Sequence, residues 1–138
     1  MKKLDDLLGH SVTTTKSTAT IVKSNPKTGY WVFRVISPGG NPKGYTVRLK
    51  AVPTPEQVSQ LKVDKKEVPL NKTDVKLMCT CPSWRYHGPD FYAQKMGYLL
   101  GTPQSNGDAP SKDPNENNLI CKHIVPVAKL AKTFSIQP

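Results

Sequence analysis

The clearest alternation of apolar and polar residues runs from Tyr45 to Ala51. There Tyr45, Val47, Leu49 and Ala51 interleave with Thr46, Arg48 and Lys50. This period of two predicts a strand with one face buried and one face wet. Just upstream, Tyr30 to Ile36 places Trp31, Phe33 and Val35 on one side and Tyr30, Val32, Arg34 and Ile36 on the other. Both sides are largely apolar, which predicts a central strand. Residues 12–22 are rich in Thr, Ile and Val and predict a further strand. Asn25-Pro26-Lys27-Thr28-Gly29 and the stretch from Pro38 to Gly44 carry turn chemistry. Three strands joined by two short turns form an antiparallel meander.

Helical spacing appears elsewhere. Leu4, Leu7 and Leu8 share one side of a short helix that Gly9 would end. So short a helix is marginal alone, so residues 1–11 read either as a packed terminus or as an arm that docks on a partner. Thr54-Pro55-Glu56-Gln57 has the form of a helix start: Thr54 caps, Pro55 suits the first turn, and Gln57 completes a capping box. Val58 and Leu61 are its apolar side. Residues 62–73 are polar and basic, interrupted by Pro69, and read as a linker or surface loop. Asp74 to Cys79 is a strand with Val75, Leu77 and Cys79 on one face. Asp90 is placed to cap a helix from Phe91 to Met96, ended by Gly97. Residues 101–118 show no pattern, and a loop of that length inside a domain is either functional or disordered. Ile124, Val127, Ala128, Ala131 and Phe134 recur at helical spacing, with Lys122, Lys129 and Lys132 facing away. Pro126 requires that this helix begin near His123.

The candidate chemistry lies in Cys79-Thr80-Cys81 and Cys121-Lys122-His123, which contain all three cysteines of the chain. An odd number of cysteines cannot be fully paired as disulfides. Three thiolates and an imidazole form the ligand set of a closed, tetrahedral structural zinc site. Residues two apart on a strand point the same way, so Cys79 and Cys81 can meet one ion if the strand bends. The competing reading is buried or catalytic cysteines, a thiol activated by the nearby His. His87 is a spare candidate ligand, although Gly88-Pro89 beside it suggests a turn.

Cys-x-Cys followed by Cys-x-His, with a β-rich lead-in and an apolar helix after the His, resembles the SWIM-type zinc finger over about residues 75–134. Cys79-Thr80-Cys81-Pro82 and Cys121-Lys122-His123-Ile124 carry the likeness. The 39 residues between Cys81 and Cys121 exceed the usual spacing. That insert, with Trp84, Tyr86, Phe91, Tyr92 and Gly97 and then Pro103, Gly107, Pro110, Pro114 and Asn115, is similar to a long-insert form associated with small proteins of tailed bacteriophages. The resemblance implies one structural Zn2+ held by Cys79, Cys81, Cys121 and His123. The expected fold class is α+β: a small antiparallel sheet with a zinc-stapled β-β-α finger and a C-terminal helix. The expected organisation is an arm at 1–11, a β region with a short helix at 12–73, and the finger at 74–138 with its insert at 82–120.

Composition narrows the function classes. The 138 residues carry 13 Pro, 9 Gly and a formal charge of +10. A loop-rich chain of this size benefits from a metal staple. The basic excess is concentrated in the first 70 residues, with 12 Lys and Arg against 5 Asp and Glu. It favours nucleic acid or an acidic protein surface as partner. Arg34, Lys43, Arg48 and Lys50, with Tyr30, Trp31 and Tyr45 nearby, could track phosphates and stack bases; the alternative is a solvated sheet face over core aromatics. Trp84, Tyr86, Phe91, Tyr92 and Leu99 read either as a contact surface for other proteins or, for the aromatics, as a small core over the metal. No apolar run is long enough to span a membrane, and Asp5 and Asp6 interrupt any signal-peptide core. Thiols without an export signal point to folding in a reducing cytoplasm. There is no phosphate-binding glycine loop and no hydrolase motif. The expectation is a non-enzymatic module without a small-molecule substrate, built into an assembly such as a phage particle by protein–protein contacts. Binding of DNA or RNA is the alternative.

Overall fold

The computed structural model describes residues 3–8, 17–37, 42–81, 84, 89–101, 120 and 123–138, without the side chains of 89–91. In chain order the elements are α1 (Leu4–Leu8), β1 (Thr18–Asn25), β2 (Tyr30–Ile36), β3 (Tyr45–Val52), α2 (Pro55–Lys62), β4 (Val68–Pro69), β5 (Asp74–Cys79), α3 (Pro89–Met96), α4 (Ile124–Ala131) and β6 (Ser135–Ile136). The class is α+β. The main sheet is antiparallel with order β1-β2-β3-β5, so the expected meander gains a fourth strand, added to β3 after an excursion through α2.

Alternation decides which face is covered. Trp31, Phe33 and Val35 of β2, Val47, Leu49 and Ala51 of β3, and Val75, Leu77 and Cys79 of β5 are all buried. Ile124, Val127, Ala128 and Ala131 of α4 are buried in the same core. Phe134 lies over Trp31 and Phe33, with ring centres 5.6 Å and 6.3 Å away. The opposite face of the sheet is not a second core: Arg34, Ile36, Arg48 and Lys50 are exposed and Tyr30 and Val32 are half-buried. β2 is an inner strand, but the expectation drawn from its two apolar sides holds for only one of them.

Local chemistry fixes the joints. Gly29, at φ +70°, closes the turn after β1, where an added Cβ would lie 2.9 Å from that of Ala51. The capping box of α2 forms in both directions: Gln57 N–H donates to Thr54 Oγ1 at 3.2 Å, and Thr54 N–H donates to Gln57 Oε1 at 2.9 Å. Pro126 is the third residue of α4, within the first turn, where its missing N–H removes no helical hydrogen bond.

Three expectations are corrected. Residues 62–73 are not simply a linker. Val68 and Pro69 pair with Ile136 and Ser135, a 3-10 turn follows at Leu70–Lys72, and Leu70 and Thr73 are buried. Asp90 stands inside α3, which begins one residue earlier at Pro89, and not at the position before it; Gly97, at φ +78°, does follow its end. α1 is no detached arm, because Leu4 and Leu7 are fully buried and α1 packs on α4. Lys3 and Asp5 tie it to Asp74 at 3.5 Å and Lys132 at 2.6 Å. Gly9, the start of the expected first strand, the Pro38–Asn41 part of the second turn and nearly all of the 101–118 loop lie outside the described residues. Among the described residues no helix is long and apolar enough to cross a membrane.

Candidate metal centre

The site forms where β5 ends and α4 begins. Cys79 is the last residue of β5, paired with Val47 of β3, and its side chain shares the buried face of Val75 and Leu77. The chain stays beside β3 for one more residue, as Thr80 N–H donates to Thr46 O at 3.1 Å and Thr46 N–H to Thr80 Oγ1 at 3.0 Å. Cys81 then turns into the core and is 2% exposed. His123 stands at the N-cap of α4 and is 3% exposed. These residues come from segments over 40 positions apart, and the core that joins β5 to α4 brings them together.

One potential ligand atom from each of Cys79, Cys81 and His123 lies within 4.8 Å of the others. Ligands on a tetrahedral zinc, with bonds of about 2.0–2.3 Å, sit roughly 3.5–3.8 Å apart. The difference is within reach of small side-chain rotations. Two details fit a cation. The Nδ1 atom of His123 is buried without a hydrogen-bond partner, a state that costs about 1–3 kcal/mol unless something takes its lone pair. The Trp84 backbone N–H donates to Cys81 Sγ at 3.3 Å, a contact that favours the thiolate. The three residues could hold a metal ion. Cys121, the fourth expected ligand, and His87, the spare one, lie outside the described residues.

The other expected site residues fall into distinct places. Trp84 and Tyr92 are buried, at 0% and 2% exposure, in the core that also contains Cys79 and Cys81. They have no surface to offer a partner, which removes them from the contact patch and makes them part of the main core. Leu99 is half-buried and bridges to Leu77, its neighbour Leu100 donating N–H to Leu77 O at 3.0 Å. This covers the outer edge of β5. Phe91 lies on α3, and its side chain, like Tyr86, is outside the described residues. Arg34, Arg48 and Lys50 are exposed on the outer sheet face, and Lys43 is exposed in the turn before β3.

Tyr45, read from the sequence as a possible stacking partner beside the basic residues, stands instead at the candidate metal centre. Its ring lies 4.8 Å from that of His123, centre to centre. A signal was present: Tyr45 shares the inner face of β3 with Val47, and Val47 pairs with Cys79. What the alternation lacks is any hint that His123 returns to that end of the sheet. No family model, no curated protein and no solved structure matches this chain.

Proposed function

We propose that the chain is a non-enzymatic interaction module stapled by one structural zinc ion, and a protein component of a larger assembly such as a phage particle. The observation that carries this reading is the convergence of Cys79, Cys81 and His123, all buried, beside an imidazole nitrogen that lacks a partner. Soft thiolates with imidazole suit zinc among the common divalent ions. Cys121 would supply the fourth ligand, as the SWIM-type resemblance implies. Four protein ligands leave no open position for water or substrate, so the ion would act as a cross-link between β5 and α4. The similarity of the long insert to small tailed-phage proteins supports the placement in a particle.

Native mass spectrometry with metal analysis tests the reading. The purified protein should carry one zinc per chain, and Cys121→Ser should lose it. A different metal, or zinc retained at full stoichiometry in Cys121→Ser, overturns the ligand assignment. The same spectra report assembly: a defined oligomer that persists at high salt is expected of a structural component held by apolar contacts. A chain that stays monomeric at all concentrations argues against self-assembly as its role.

A further inference from the structure

The outer face of the main sheet, where the described residues are exposed or half-buried, is strongly cationic, and its register makes the pattern explicit. Across β1, β2, β3 and β5 one row reads Asn25, Tyr30, Lys50, Lys76. The next reads Lys23, Val32, Arg48, Met78, and the third reads Thr20, Arg34, Thr46, Thr80. Arg34, Arg48 and Lys76 therefore form a diagonal stripe, flanked by Lys50 and Lys23. Same-face residues two apart along a strand are separated by about 7 Å, so successive cations are near neighbours.

Four features make this face unlike an ordinary solvated one. Lys50 and Lys76 stand directly opposite each other, and like charges in that position weaken a sheet. The single acid of the described residues on this face, Asp74, is held by Lys3 at its end. Lys23 reaches the face only because of an irregularity in β1. Ile21 pairs with Phe33 and Lys23 with Val32, so Val22 is an extra residue that brings Lys23 to the outer side. Between the cations lie the half-buried side chains of Tyr30, Val32 and Met78.

We propose that this sheet face binds single-stranded nucleic acid, with Lys23, Arg34, Arg48, Lys50 and Lys76 on the phosphates and Tyr30 as a stacking surface. A linear polyanion matches a diagonal stripe of cations, and guanidinium groups suit phosphate oxygens. Apolar and aromatic side chains between the charges give bases a surface on which to lie. An acidic side chain supplies charge for these cations but no planar base to stack on Tyr30. The inference adds a partner class to the assembly reading and rests on none of its metal ligands, because Cys79 is on the other side of the sheet.

The test is fluorescence anisotropy of the full-length protein with labelled oligo-dT, with zinc content measured on the same samples. With four or five phosphates neutralised, affinity should fall roughly 50- to 130-fold between about 50 and 200 mM salt. Arg48→Ala and Lys50→Ala should each flatten the logarithmic salt slope by about 0.7, while Lys62→Ala and Lys129→Ala leave it unchanged. Tyr30→Leu should weaken binding about five- to tenfold at constant slope. All are surface or half-buried positions, and unchanged zinc content separates loss of binding from loss of fold. No binding, poly-glutamate competing as well as unlabelled DNA, duplex binding as tightly as the single strand, or Arg48→Ala and Lys50→Ala without effect would each overturn the proposal.

Discussion

The ring of Tyr45 rests against the imidazole of His123, with centres 4.8 Å apart and planes inclined by 57°. It ties the start of β3 to the start of α4, close to where Val47 of β3 pairs with Cys79. Tyr45 packs against the ring of His123, a ligand atom of which lies within 4.8 Å of those of Cys79 and Cys81. Groups that orient a metal ligand typically change metal affinity by 10–100-fold when removed. On the proposed zinc reading, Tyr45→Leu should weaken metal binding about tenfold, measured by chelator competition, and Tyr45→Phe should restore it.

Loss of a ligand should have a larger and more global effect. The apparent binding free energy of a structural zinc is about 10–16 kcal/mol near neutral pH, comparable with the whole stability of a small domain. Cys79→Ser or His123→Ala should abolish stoichiometric zinc and turn a sharp denaturant transition into a broad one. Excess chelator added to the natural chain should do the same. A sharp transition at an unchanged midpoint in the metal-free chain would remove the structural role of the ion.

How far the sequence foretold these arrangements depended on the range of the information. The strand from Asp74 to Cys79 and the capping box at Thr54 and Gln57 were legible because alternation and capping are local signals. The pairing of Val68-Pro69 with Ser135-Ile136 was not, because two residues hold no period and the partner lies at the other end of the chain. Thr73 reads as a loop residue until its hydroxyl is seen donating to Pro69 O at 3.1 Å, which allows it to be buried. Val125 lies off the expected apolar stripe of α4 yet is buried, because this helix is enclosed on more than one side. At the candidate metal centre the Cys and His residues were visible in the sequence, but the closeness of His123 to the β5 end depends on tertiary packing.

Two glycines are required for different reasons, and substitution should separate them. Gly29 and Gly44 both have φ of +70°, where a side chain costs about 1–3 kcal/mol. At Gly29 a Cβ would press on the Ala51 methyl, whereas at Gly44 it would lie 2.6 Å from the backbone oxygen of Val35. Backbone within a paired strand yields less readily than a side chain. Gly44→Ala should lower the urea midpoint more than Gly29→Ala, and both should lower it.

The capping box gives a stability change remote from the metal. Thr54→Ala removes the acceptor for the Gln57 N–H and should cost about 1 kcal/mol. At this chain length that corresponds to a melting temperature lower by about 3–5 °C. Zinc stoichiometry should not change, which distinguishes this variant from those at Tyr45 and His123.

The amino-terminal helix provides the sharpest contrast between contact types. α1 has only five residues and would not persist alone. Leu4 and Leu7 are fully buried against α4, while the Asp5–Lys132 ion pair beside them is exposed to solvent. Truncating a buried leucine costs about 2–5 kcal/mol, whereas an exposed ion pair contributes about 0–1 kcal/mol. Leu7→Ala should therefore lower stability strongly, and Asp5→Ala should leave the denaturant midpoint nearly unchanged. If instead α1 detaches easily, Leu7→Ala would leave the midpoint in place and open the terminus to protease. Limited proteolysis of both variants, read beside the denaturation curves, separates a helix that belongs to the core from one that only rests on it.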